Sequence, residues 1–117
     1  MERSIALKRA YDDKTPHDGY RVLVDRLWPR GITKEDLKID EWMKEIAPSN
    51  ELRIWFSHDP TKWIEFQTRY FEELKAHPEM IAKLRNMASK GRLTLVYSAK
   101  DPILNNAVAL KQYLERK

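Results

Sequence analysis

Cysteine is absent from the 117 residues. That excludes a disulfide framework, a thiolate metal site and a cysteine nucleophile. Glycine occurs three times, too rarely for a glycine-rich phosphate loop or a dinucleotide fingerprint. His17, His58 and His77 are the only histidines, and their separation has no metal-ligand spacing, so neither a metal site nor a cofactor is expected. No apolar run approaches the roughly 20 residues of a membrane span, and the N-terminus lacks the apolar core of a signal peptide. The cytoplasm is the expected location.

What is present describes one globular domain over residues 1–117. Hydrophobic residues make up 42% and charged residues 34% of the chain, and four tryptophans, five tyrosines and three phenylalanines supply bulk for a core. The net charge of +4 is mildly basic, which favours anionic ligands or loose nucleic-acid contact. Acids and bases are nevertheless interspersed, as on an ordinary solvated surface.

The most informative stretch runs from Tyr20 to Gly31. Val22 to Val24 is an apolar, β-branched run suited to a buried strand from about Arg21 to Asp25. Asp25, Arg26, Trp28, Pro29, Arg30 and Gly31 then place a carboxylate, two guanidiniums, an aromatic ring and two backbone punctuators on the loop that leaves it. Ser4 to Lys8 reads as a first strand, and Leu93 to Tyr97 as another that is apolar without alternation, hence buried on both faces.

Helices fall between them. Thr33 with Asp36 resembles a capping box. Ile39, Trp42, Met43 and Ile46 have helical spacing, but Pro48 stops so short a segment, and helix and strand both stay open there. Ser49 caps Asn50 to Phe56, and Asp59-Pro60 opens a helix whose apolar face is Trp63, Phe66, Tyr70 and Leu74. Pro78 starts another along Ile81, Leu84 and Ala88, with Gly91 as a left-handed stop. Asp101-Pro102 opens the last, with Ile103, Ala107, Leu110 and Leu114 as its stripe. The alternation predicts an α/β fold, a small and mainly parallel sheet flanked by helices, with the Val22 and Leu93 runs as parallel near neighbours.

In such sheets ligands bind beyond the carboxyl ends of the strands. Three polar clusters lie there: Lys8-Arg9-Tyr11, Asp25 to Arg30, and Ser98-Lys100-Asp101. Arg9, Arg26, Arg30 and Lys100 are candidates for binding an anion, since guanidinium forks match planar oxyanions. Trp28 can stack on a ligand or simply pack, and Asn105 can face the same cleft or water. Asp25 can act as an acid or base, or pair internally with one arginine and fix the loop. His58 is the other acid/base candidate. Gly31 is suited to a positive φ or a close backbone approach.

Asp18 to Gly31, together with Lys8-Arg9, Tyr11-Asp12, Ala47-Pro48-Ser49, His58-Asp59-Pro60 and Tyr97 to Asp101, resembles the YeaO-like branch of domain-of-unknown-function family 488. The resemblance covers nearly the whole chain. It implies a small α/β domain, typically of bacteria or archaea, and assigns no reaction, so no catalytic residue is carried over from it. Two functions from different classes follow from the residues. One is a domain binding, with or without transforming, an anionic small molecule in an arginine-lined cleft at the carboxyl ends of the strands. The other is a non-catalytic module that touches nucleic acid or a protein partner through a basic surface.

Overall fold

The computed structural model describes residues 4–116. Four strands form one sheet in the order β1-β4-β2-β3, where β1 is Ser4–Arg9, β2 Tyr20–Leu23, β3 Glu41–Trp42 and β4 Arg92–Tyr97. Every pairing is parallel. Ile5 sits opposite Leu93 and Val22 opposite Leu95, so β4 lies between β1 and β2. The expected neighbourhood of the two apolar runs is therefore observed. Val24 lies just past β2, yet its N–H still donates to the Val96 carbonyl.

Side chains alternate across this sheet, and each face has its own cover. Val22, Val24, Leu93, Leu95 and Tyr97 join the main core, while Leu23 and Val96 form a smaller cluster with Ala10 and Leu37 on the other side. All but Tyr97 of the sheet residues just named are 0% exposed. That explains why neither run alternates in sequence.

The helices are α1 (Lys34–Leu37), α2 (Asn50–Phe56), α3 (Trp63–Leu74), α4 (Pro78–Lys90) and α5 (Asn106–Leu114). Thr33 caps α1 by accepting from Asp36 N, and Ser49 caps α2 by accepting from Leu52 N. Asp59 caps a 3₁₀ turn, Pro60–Lys62, that runs directly into α3. Phe66, Tyr70 and Leu74 bury the face of α3, with Trp63 half-buried at its start, and Ile81, Leu84 and Ala88 bury that of α4. Phe66 stacks on Phe56 at 4.4 Å between ring centroids.

The alternative left open at Ile39 to Ile46 is decided for strand, and two expectations are corrected. Glu41–Trp42 forms β3 and Lys44–Ile46 a 3₁₀ turn. Asp40 N donates to Arg21 O, Arg21 N to the Asp40 carboxylate and Met43 N to Leu23 O, so pairing with β2 claims the backbone that a helix would need. Gly91 is extended, at φ 174°, rather than left-handed, because the chain passes straight from α4 into β4. The last helix starts at Asn106 and not at Asp101. Asp101 instead accepts from Ile103 N and Leu104 N in a separate turn, which leaves Ile103 exposed while Ala107, Leu110 and Leu114 are buried.

Candidate functional site

Because all four strands are parallel, their carboxyl ends open on one side of the sheet. A cleft of about 560 Å³ lies there, within the range of small-molecule sites. The loop after β2 supplies Asp25, Arg26, Trp28 and Arg30, the end of β4 supplies Ser98, and the start of α5 supplies Asn105 and Asn106. From α2 and the turn after it come Arg53, Ile54, Ser57 and His58, with Phe56, Phe66 and Leu104 as apolar wall.

Asp25 is held by three donors and, among the described residues, by no arginine. Its Oδ2 accepts from Ser98 N at 2.8 Å and Ser98 Oγ at 2.7 Å, and its Oδ1 accepts from Asn106 Nδ2 at 3.1 Å. The expected internal ion pair is thus replaced by neutral donors from β4 and α5. Asn106 Nδ2 also donates to Val24 O at 3.1 Å, fastening α5 to the end of β2. The positive end of the α5 dipole adds to the support of this carboxylate.

Arg26 turns the other way. Its Nε donates to Pro48 O at 3.4 Å and its Nη2 to Ala47 O at 3.2 Å, in the loop before α2. Arg53 donates to Asn50 Oδ1 at 2.6 Å. None of the ion pairs among the described residues includes Arg26, Arg30 or Arg53. Arg26, Arg30 and Arg53 consequently line a cleft whose one acidic residue, among the described residues, is Asp25, and none of the ion pairs there joins them to it.

The other candidates are placed as follows. Arg9 donates to Ala99 O (3.0 Å) and Ser98 O (3.3 Å) and lies 5.0 Å over the Tyr11 ring, whose hydroxyl donates to Arg30 O. It braces the rim from outside the cleft lining. Lys100 is exposed and is also outside the lining. Trp28 contributes to the lining while its Nε1 donates to Ile32 O and its ring meets Trp42 edge-on at 5.4 Å. Asn105, 2% exposed, is the N-cap of α5: it accepts from Val108 N and donates to Asp101 O. Gly31 has φ 78° with open space where a Cβ would stand, so turn geometry and not close approach explains it.

His58 follows Ser57 in a turn where both have left-handed backbone, φ 56° and 45°. Such conformations are uncommon for side-chain-bearing residues, and they cluster at sites of function. Asp101 stands near His58. Hydrogen bonds from the Ile103 and Leu104 amides hold its carboxyl below the usual range, and His58 adds a smaller effect in the same direction. Burial, partly opposed by Arg9, raises the Tyr97 phenol. Arg53 was not among the expected residues. Its exposed position beside the buried Leu52–Phe56 face of α2 becomes informative only once α2 is seen to border the sheet end.

A second, more open groove of about 670 Å³ lies where α3 ends against α4 and α5. Its arginine, Arg85, is engaged in capping α5 through the carbonyls of Tyr113 and Leu114. Among the described residues no cluster of three or more His, Asp or Glu side chains could hold a metal ion, and no helix is long and apolar enough to cross a membrane.

A fold of this kind, with a polar cleft at the strand ends, defines a small parallel α/β domain, and comparison with known proteins places it more closely. The chain belongs to the inactive DUF488-N3 subclade, whose family model matches residues 4–117. It is 48% identical over 111 residues to the uncharacterised protein YeaO of Escherichia coli K12, covering 95% of this chain and 96% of that one. It is 41% identical over 113 residues to the uncharacterised protein Rv3073c of Mycobacterium tuberculosis H37Rv, covering 97% and 95%. This is the YeaO-like branch of the DUF488 family. No solved structure matches the chain.

Proposed function

We propose that this is a cytoplasmic binding protein for an anionic small molecule, which it holds in the cleft at the strand ends without turning it over. The observation that carries the reading is the set of Arg26, Arg30 and Arg53 around one concave cleft with no ion pair among the described residues. Like charges gathered in this way repel unless an anion joins them. Arg26 is the principal anchor, because its contacts with Ala47 and Pro48 orient it while leaving Nη1 free of described partners. Arg30, Arg53 and His58 complete the rim. Binding without turnover is supported by the description of the subclade as inactive. The tethering of Asp25 supports it too, since three of the roughly four acceptor positions of that carboxylate are taken by Ser98 and Asn106.

The test is a melting-temperature screen of organic acids and phosphates on the wild type, Arg26→Lys and Arg26→Ala. A ligand that binds only the folded protein raises the midpoint by mass action. Arg26→Lys keeps the charge and loses the planar fork, so it should reduce the shift, and Arg26→Ala should reduce it further. If both variants retain every response of the wild type, Arg26 is not an anion site. Steeply salt-dependent binding of DNA or RNA, with no small-molecule response, would instead favour an interaction surface.

A further inference from the structure

Asp25 and Arg26 are neighbours in sequence, both border the cleft, and they do not pair with one another. The chain leaving β2 sends Asp25 toward β4 and α5 and Arg26 toward the loop before α2. The cleft therefore has two walls of opposite character. A carboxylate carries about four lone-pair sites. Two on Oδ2 are taken by Ser98, and one on Oδ1 by Asn106, so Oδ1 keeps one open. Asn106 Oδ1 accepts no hydrogen bond among the described residues while its Nδ2 is fully engaged. Both residues line the cleft that Arg26, Arg30 and Arg53 also border, so the two oxygens offer acceptor positions there. Phe56, Phe66, Trp28 and Leu104 supply apolar lining to the same cleft.

An acceptor pair, a guanidinium fork and an apolar wall match a molecule that carries an ammonium, a carboxylate and a hydrocarbon side chain. We infer that the ligand is a free apolar α-amino acid, held by its carboxylate on Arg26, by its ammonium on Asp25 Oδ1 and Asn106 Oδ1, and by its side chain against the half-buried Trp28 and Leu104. This rests on the anion-binding reading above and specifies the anion as a carboxylate with a cation attached. A dianionic phosphate lacks the ammonium and would bring its charge toward Asp25, so the cleft discriminates against it.

The experiment is calorimetric titration of the full chain with L-phenylalanine, 3-phenylpropionate, phenethylamine, L-leucine and inorganic phosphate. L-phenylalanine or L-leucine should bind. 3-Phenylpropionate, which lacks only the ammonium, should bind roughly tenfold to a hundredfold more weakly than L-phenylalanine, the factor expected for losing a charged hydrogen-bond partner. Phenethylamine, which lacks the carboxylate, should lose at least as much. Asp25→Asn keeps an acceptor for Ser98 and removes the charge that pairs with the ammonium, so it should abolish the preference for L-phenylalanine over 3-phenylpropionate. The comparison of ligands on the wild type stands even if that variant fails to fold.

Binding of 3-phenylpropionate or phosphate as tight as that of L-phenylalanine overturns the zwitterion inference, and Arg26→Lys sensitivity of those ligands would leave the anion reading standing. No heat from either amino acid also overturns it. If phosphate and 3-phenylpropionate are silent as well, the anion reading falls with it.

Discussion

Ser98 donates both its backbone N–H and its hydroxyl to one oxygen of Asp25, across 73 residues of sequence. The contact joins the residues just beyond the ends of two neighbouring parallel strands, β2 and β4. Ser98→Ala removes the hydroxyl and keeps the amide. The loss should be about 1–2 kcal/mol in urea unfolding, since the acceptor is a carboxylate but the site is only partly buried. A loss below about 0.3 kcal/mol would mean that water replaces the hydroxyl without penalty.

A second polar centre lies beside the opposite end of β2. Arg21 is 1% exposed, and its guanidinium donates to Asp18 at 2.7 Å and to the carbonyls of Leu37 and Lys38. Burial alone would raise the Asp18 carboxyl, but hydrogen bonds from Lys8, Thr15 and Arg21 outweigh it and hold Asp18 well below the usual carboxylate range. A folded pKa below the unfolded one adds stability that is fully present above the unfolded value. That stability is lost as pH falls through the folded one. Unfolding free energy should therefore decline below about pH 4, and Asp18→Asn should flatten that decline. At neutral pH the same substitution leaves Arg21 buried without its partner and should cost roughly 3–5 kcal/mol. Denaturant midpoints at neutral and acid pH for both proteins check the two statements together.

Phe66 stands at the junction of core and cleft, 2% exposed and stacked between Phe56 and Trp63. Phe66→Ala should cost roughly 3–5 kcal/mol by urea unfolding, a large share of the stability of so small a domain. Phe66→Leu keeps most of the volume and should cost about 1.5 kcal/mol or less. Equal losses for the two would show that ring stacking, and not filled volume, is what Phe66 supplies.

Arg26 also has a structural role apart from any ligand. Arg26→Ala withdraws its donors from the carbonyls of Ala47 and Pro48, both buried residues, and should lower stability by about 1–2 kcal/mol. Arg26→Lys should lose less, because one ammonium can still reach that loop. Unfolding of the two variants without ligand separates this effect from binding.

The strands and most caps were legible because their signals are local. Val22 to Val24 and Leu93 to Tyr97 announce two-sided burial by lacking alternation, and Thr33, Ser49 and Pro78 act within one helical turn. β3 was hidden because its two residues are strand only through pairing with β2. The charged residues of the cleft were legible by type and loop position but not by partner. Asp25 could have met an arginine next to it or a serine 73 residues on, and only the placement of β4 beside β2 selects the second. Lys100 and Arg53 exchanged places for a similar reason: which cation borders a cleft depends on how helices close over the sheet end, which no local pattern records.

Gly19 and Gly31 both have positive φ, 66° and 78°, yet their surroundings differ. A Cβ on Gly31 would meet nothing within 4 Å, so Gly31→Ala carries only the backbone cost of a left-handed residue, about 1–2 kcal/mol. A Cβ on Gly19 would fall 2.2 Å from Arg92 O and 2.8 Å from Arg92 Cβ. Gly19 leads into β2 and Arg92 begins β4, so relief would require the two strands to part at their start. The neighbouring bond from Thr94 Oγ1 to Asp18 O, at 2.6 Å, lies in the path of that movement. Gly19→Ala should therefore cost several times what Gly31→Ala does, roughly 4 kcal/mol or more, the range reached only when a specific structural feature is broken. Urea unfolding of the two variants side by side decides it, and comparable losses would show that the start of β2 yields more readily than its packing indicates.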